Sequence, residues 1–354
     1  MSLCIFRHHT TCIDWASIIE KRASPFSLNS FYLLAACYAN NPEAIRVLVS
    51  YYGFDVNFQN AYGWSALHYA TELNHYRCVQ ALLHEHADCD ILSTENEITP
   101  LFLACYHGFP RVAQMLILYG ANVNHVTRHE LTPAYVAAQF NHTRCLRILL
   151  KHHADPNQMI GRLHEAPLHV ACNLGNARAV KLLLRYDADP HLVHVDGVTC
   201  LFLACYENEV ECASILLEHG TDPDQVVRDR QTALFGACWA NSKECIELLL
   251  ERGADPNIST TTLHSMTPLF ACCEHEFDDS ARLLLEHGAN PNYVAETGVT
   301  PIIFATSKNL ASFVQLLIDK GGDPTIKMSH GITALEIAKH KKYDACVKVL
   351  ESKR

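Results

Sequence analysis

Short apolar runs recur along this chain at a near-constant spacing that is neither a strand period nor that of one long helix. Each run opens on a hydroxyl or small residue, passes through several apolar residues and closes in a polar turn. The copies are SALHYA at Ser65, TPLFLA at Thr99, TPAYVA at Thr132, APLHVA at Ala166, TCLFLA at Thr199, TALFGA at Thr232, TPLFAC at Thr267, TPIIFA at Thr300 and TALEIA at Thr333. Successive steps are 34, 33, 34, 33, 33, 35, 33 and 33 residues, and a looser copy, SFYLLAAC, begins at Ser30. Self-similarity on this scale marks stacked supersecondary units.

Local chemistry within each copy predicts two helices and a finger. The leading Ser or Thr suits a helix N-cap, and Pro100, Pro133, Pro167, Pro268 and Pro301 suit the first helical position. A second helix carries the aliphatic run, as in VQALL at 79–83, LRILL at 146–150, IELLL at 246–250 and ARLLL at 281–285. That helix ends 21 residues after the Thr at Gly120, Gly220, Gly253, Gly288 and Gly321, where a left-handed cap needs no Cβ. His86, His153 and Asp187 hold the same place in three other copies and are expected to adopt the same conformation. ADPN-type segments then bend the chain into a β-turn finger. A lone helix pair cannot bury its apolar side, so stability must come from stacking on neighbours.

The phrase and its period resemble the ankyrin-repeat family, whose signature is T-P-L-H-x-A on a period of about 33 residues. The resemblance spans 30–354, more than nine-tenths of the 354-residue chain. It implies an all-α ankyrin-repeat solenoid of helix–turn–helix units with β-turn fingers. Residues 30–354 form an array of about ten repeats whose last copy acts as C-terminal cap. Residues 1–29 form an N-terminal capping segment, with WASIIEK at 15–21 as its amphipathic helix. The function implied is a non-enzymatic protein–protein interaction scaffold or adaptor holding a partner segment in a concave groove. An alternative is the substrate-receptor subunit of a ubiquitin-ligase complex. Relatives of that kind add a C-terminal recruiting module, whereas this chain ends inside its last repeat with SKR beyond, so no recruiting box is visible.

Composition narrows the setting. Hydrophobic content of 49% and charged content of 19% describe a folded chain. A balance of 28 basic against 38 acidic side chains, a net charge of −10, argues against nucleic acid. The N-terminus MSLCIFRHHTTC lacks an apolar signal-peptide core, and no window holds the 18 apolar residues of a membrane span. A cytoplasmic or nuclear protein with reduced thiols is expected, so the glycosylation-like triplets at Asn141 and Asn257 carry no weight. Ten of the 16 cysteines fall into two ladders. Cys105, Cys172, Cys205, Cys238 and Cys273 lie six residues after the repeat's first position, and Cys78, Cys145, Cys212, Cys245 and Cys346 lie thirteen after it. Helices packed about 8–10 Å apart keep such ladders from bridging. No metal site or cofactor is expected: the 22 histidines form no HExxH, no CxxC occurs, and phosphate-loop and nucleophile-elbow motifs are missing. His68 and His169 fill the H of T-P-L-H, which the family uses to join neighbouring repeats.

The resemblance also places the binding surface on finger residues just before the repeat's Thr and on those seven and eight after it. On the fingers these are Tyr62, Trp64, Arg128, His129, Arg162, Arg228 and Asp229. On the ends of the first helices they are Tyr106, His107, Phe140, Tyr206, Glu207, Trp239, Glu274 and His275. Aromatic and arginine side chains dominate interface energetics. Two of the three tryptophans fall in this set, which the alternative of ring packing on the next repeat also explains. The three arginines would form a basic row suited to an acidic or phosphorylated peptide. Finally, the resemblance marks Asn124, Asn157, Asn257 and Asn292 as candidates for the asparaginyl hydroxylase that modifies this family, against a plain role as turn asparagines.

Overall fold

The computed structural model describes residues 28–261 and 265–352. The capping helix expected at 15–21 lies outside them. Among the described residues there are twenty α-helices, and extended pairing is limited to isolated bridges in the fingers, such as Gln59 with Ser65 and Val193 with Thr199. The chain divides into two compact units, Met1–Pro133 and Ala134–Arg354.

In the first unit the helices are α1 Leu28–Tyr38, α2 Pro42–Arg46, α3 Ala66–Glu72, α4 Tyr76–His84, α5 Pro100–Tyr106 and α6 Pro110–Leu118, with α2 running on into a π-helical turn at Val47–Tyr51. The first helices α1, α3 and α5 pack in succession, and the second helices α2, α4 and α6 make the other layer. The second unit is entered through α7 Pro133–Gln139. It continues with α8 Thr143–Lys151, α9 Pro167–Asn173, α10 Ala177–Arg185, α11 Cys200–Tyr206, α12 Val210–Glu218, α13 Ala233–Ala240 and α14 Lys243–Glu251. It closes with α15 Pro268–Glu274, α16 Asp278–Glu286, α17 Pro301–Ser307, α18 Ala311–Asp319, α19 Ala334–Lys341 and α20 Asp344–Glu351. Here too odd-numbered helices from α9 to α19 pack in succession, as do even-numbered ones from α8 to α20.

The caps follow the sequence chemistry. The hydroxyls of Thr99, Thr199, Thr232 and Thr300 accept from backbone N–H groups three residues on, at 3.1–3.3 Å. Ala166 has no hydroxyl, and its N–H donates instead to His169 Nδ1 at 3.2 Å. At the ends of the second helices, Gly120, Gly220, Gly253, Gly288 and Gly321 take φ of 84–97°. His86, His153 and Asp187 follow at 62°, 64° and 62°. These three pay the steric cost of a Cβ in the left-handed region.

Stacking is carried by rows of equivalent side chains. Phe102, Phe202, Phe235 and Phe270, each three residues after a repeat's Thr, are about 1% exposed. Gly236 lies inside α13 because of one of them: a Cβ there would stand 2.8 Å from the Phe202 ring. Neighbouring fingers are joined by backbone bonds, Thr94 N–H to Tyr62 O and Arg128 N–H to Asn96 O in the first unit, Val195 N–H to Leu163 O and Thr261 N–H to Asp229 O in the second.

The described cysteines are free thiols, and apart from Cys89 they are buried. Cys200 and Cys272, which belong to neither ladder, are buried as well.

Candidate functional site

The tryptophan pair separates at once. Trp64 is 3% exposed and belongs to the core, not to a binding surface. Its N–H donates to Asn60 Oδ1 at 2.9 Å and its carbonyl accepts from Asn60 N–H at 3.0 Å, closing a tight finger. That closure turns the indole inward onto Tyr69 and His68, with ring centroids 5.2 and 5.4 Å away. A signal for this was present in the sequence. The residue just before the cap is apolar in most copies (Ile98, Leu131, Val198, Met266, Val299, Ile332), the place of a hydrophobic staple.

Residues at the ends of the first helices behave differently. In the second unit, Tyr206 and Trp239 are half-buried, and Phe140 is 43% exposed. Tyr206 stacks on Phe202 (6.2 Å) and Trp239 on Phe235 (6.0 Å), each upon the buried ring one turn earlier in its own helix. The inner ring fixes the rotamer of the outer one, so the exposed face is presented at low entropic cost. Trp239 also meets the edge of His275 from the next repeat at 4.6 Å, and His275 lies exposed on Phe277. Leu174, 41% exposed at the end of α9, stands eight residues after Ala166, in the register of Phe140 and His275 and one residue beyond that of Tyr206 and Trp239. Sequence reasoning passed over it because it looked only for rings and charges. Among the acidic members of the row, Glu207 is exposed and Glu274 pairs with Lys308 at 2.7 Å.

In the first unit the half-buried Tyr106 stacks on Phe102 at 6.5 Å and meets His107 edge-on at 4.9 Å. His107 Nε2 is 2.8 Å from Glu72, which ties it to the preceding repeat. Tyr62 is half-buried on its finger.

The arginines do not make a free basic row. Arg128 is exposed and pairs with Glu97 at 3.2 Å within the first unit, beside exposed His129. Arg228 is exposed and pairs with Asp196 at 2.9 Å within the second, beside exposed Asp229. Both acids come from the preceding finger, which neutralises the charges expected to meet an acidic peptide. Arg162 is exposed without an ion-pair partner among the described residues. Exposed pairs of this kind add little stability.

The marked asparagines Asn157, Asn257 and Asn292 bridge repeats. Asn157, Asn257 and Asn292 accept through Oδ1 from the N–H of Asp189, Asn290 and Asp323 at 2.7–2.8 Å. Their amides donate to the carbonyls of Asp187, Gly288 and Gly321 at 3.0–3.1 Å. Asn124 is held at its own N–H by Asn122 Oδ1 at 3.0 Å.

His68 and His169 join repeats as expected. Each Nδ1 accepts from the backbone N–H at its helix start, and each Nε2 donates to a carbonyl of the next finger, Ile98 at 3.0 Å and Leu192 at 3.1 Å. Burial pushes His68 down to about 4. Burial opposes the charged form of His169 too, yet Cys200, Glu165 and the Leu192 carbonyl outweigh it and raise this histidine. Among the described residues no group of three metal-ligating side chains converges.

Comparison with known proteins agrees with this geometry. A family model described as ankyrin repeats in three copies matches residues 2–94, 78–160 and 168–260. Two further models, ankyrin repeats in many copies and a single ankyrin repeat, match 284–338 and 264–296. The crystal structure of the human ASB11 ankyrin repeat domain is similar at a TM-score of 0.56 and 29% identity, over 64% of this chain and 100% of that one. Human SMC5-SMC6 complex localization factor protein 1 is 32% identical over 88 residues, 25% of this chain and 8% of the relative. The putative ankyrin repeat protein FPV216 of fowlpox virus is 35% identical over 71 residues, 20% of this chain and 24% of the relative. E3 ubiquitin-protein ligase KEG of Arabidopsis thaliana is 37% identical over 102 residues, 28% of this chain and 6% of the relative. The chain thus spans a quarter or less of the length of these curated relatives.

Proposed function

Because the chain belongs to the ankyrin-repeat family, whose repeats are generally protein-interaction modules, we propose that its second unit holds an extended segment of a partner protein against Phe140, Leu174, Tyr206 and Trp239. It acts as a non-enzymatic scaffold or adaptor. The observation that carries this reading is the half-exposed Trp239, braced from beneath by Phe235 and from the side by His275. A pre-set aromatic flanked by an aliphatic and other rings is the composition of an interface hot spot. In the second unit exposed Arg162 and the paired Arg228 steer a partner more than they bind it, and Tyr62, Tyr106 and the paired Arg128 are candidates on the first unit taken by itself.

A cytoplasmic or nuclear setting fits a chain in which, among the described residues, no helix is long and apolar enough to cross a membrane. A second reading, a substrate receptor for ubiquitin ligation, draws on the likeness to KEG, whose printed name carries that activity. Quantitative affinity capture separates the readings. A partner retained by the wild type and lost from a Tyr206→Ala/Trp239→Ala variant of unchanged melting temperature supports groove binding. Co-purification of cullin-type ligase subunits supports the second reading, and equal capture by both proteins refutes the first.

A further inference from the structure

Charge is spread unevenly along this chain. Residues 201–300 carry 17 acidic side chains against 5 basic ones, whereas the rest of the chain carries 21 against 23. The whole negative excess therefore sits on the stretch from α11 to α16, and none of its acids is buried. The same stretch presents Tyr206 and Trp239. In the layer of second helices several of these acids are neutralised: Glu211 by Lys181, Asp279 by Lys243 and Glu286 by Lys320, at 2.8–3.0 Å.

Beside the rings the balance differs. Glu207 follows Tyr206 and is exposed, and Asp229 is exposed on the finger that leads into α13. Glu276 is exposed one residue beyond His275, whose ring Trp239 meets at 4.6 Å. Of the bases near these places, Arg228 is held by Asp196 at 2.9 Å and Lys308 by Glu274 at 2.7 Å, which leaves exposed Arg230 beside Asp229. Glu276 also departs from what the backbone favours. It follows α15 with φ of 61°, where the equivalent residues of the unit are Asn141, Gly175, Asn208, Asn241 and Asn309, with Lys342 in the last repeat. Asn and Gly accept this left-handed region at least cost. Local structure alone gives no reason for a carboxylate there.

We infer that the ring row of the second unit takes a basic segment, whose arginine or lysine side chains lie against Tyr206 and Trp239 and direct their charges to Glu207, Asp229 and Glu276. This rests on the reading of that row as a partner surface and adds the chemistry of what it holds. Aromatic rings attract cations through their quadrupole, tryptophan most of all. Carboxylates close by supply the charge-assisted hydrogen bonds that a guanidinium or ammonium seeks. Phe140 and Leu174 offer apolar contact to the remainder of the segment. The acidic or phosphorylated peptide suggested by the arginine row would instead enter a negative field, and like charges brought together at an interface exclude a partner. The field of the whole stretch draws a basic segment in, and salt weakens it.

The test uses the full chain and three short labelled peptides that share one spacing of leucines and carry arginine, glutamine or glutamate at the other positions. Fluorescence anisotropy should show the arginine peptide binding at least about tenfold more tightly than the glutamine one, the glutamate peptide weakest, and affinity falling between about 50 and 200 mM salt. Glu207→Gln/Asp229→Asn/Glu276→Gln keeps the side-chain shapes and removes three charges. It should weaken the arginine peptide about tenfold and leave the glutamine peptide unchanged. Trp239→Ala, with its melting temperature unchanged, should weaken the arginine peptide by a similar factor. Equal binding of the three peptides, or no binding of the arginine one, overturns the proposal. A glutamine or glutamate peptide that binds most tightly and is lost from Trp239→Ala keeps the ring row and overturns its basic partner. An arginine peptide bound equally by wild type and Trp239→Ala overturns the ring row itself, and this inference with it.

Discussion

Trp64 in the first unit and Trp239 in the second are both tryptophans beside a repeat's first helix, yet one is core and the other is presented. The difference lies in which end of the helix each flanks. Trp64 precedes the N-cap and is folded inward by the Asn60 turn. Trp239 follows one turn after Phe235, whose buried ring leaves it no room inside and a flat seat outside. For these two rings, the entry to the first helix is a packing position and the exit leaves the ring half-exposed.

The largest test of that contrast is truncation. Trp64→Ala should cost roughly 3–5 kcal/mol in denaturant unfolding, as a large core ring lost without replacement does. Trp239→Ala should cost less than about 1 kcal/mol. Equal losses would erase the distinction.

Acid sharpens the contrast at the same helix entry. The indole of Trp64 rests on His68, which folding holds down to about 4 from an ordinary 6.5. The unfolded chain therefore binds the proton that the folded one refuses, and stability falls as pH drops from 6.5 toward 4. The shift corresponds to a loss on the order of 3 kcal/mol from His68, and the buried His194, also lowered to about 4, loses in the same window. Melting temperatures across that range should fall steeply in the wild type and less in His68→Gln.

A smaller effect probes the seat beneath the display row. Gly236→Ala places a methyl 2.8 Å from Phe202. Overpacking of about 1–3 kcal/mol should exceed the roughly 1 kcal/mol gained in helix propensity, so the variant is less stable. A more stable variant would mean that α11 and α13 can move apart freely. Smallest is Asp187→Gly, which relieves a left-handed Cβ at φ 62° and should raise stability by about 0.5 kcal/mol.

The sequence made the local parts of this fold readable and left the non-local parts hidden. The Thr caps, the first-turn prolines and the left-handed His86, His153 and Asp187 are decided within a few residues, so spacing alone places them. The inward turn of Trp64 depends on a side chain four residues back and on the core it enters. The neutralised arginines depend on acids one repeat away, Glu97 and Asp196.

The most direct test of the display row is a calorimetric titration of a partner segment, identified by capture on the wild type, into wild type and Trp239→Ala, with a thermal melt of each. The account predicts affinity at least about tenfold weaker with the melting temperature unchanged. Unchanged affinity together with a loss of stability like that of Trp64→Ala would contradict it.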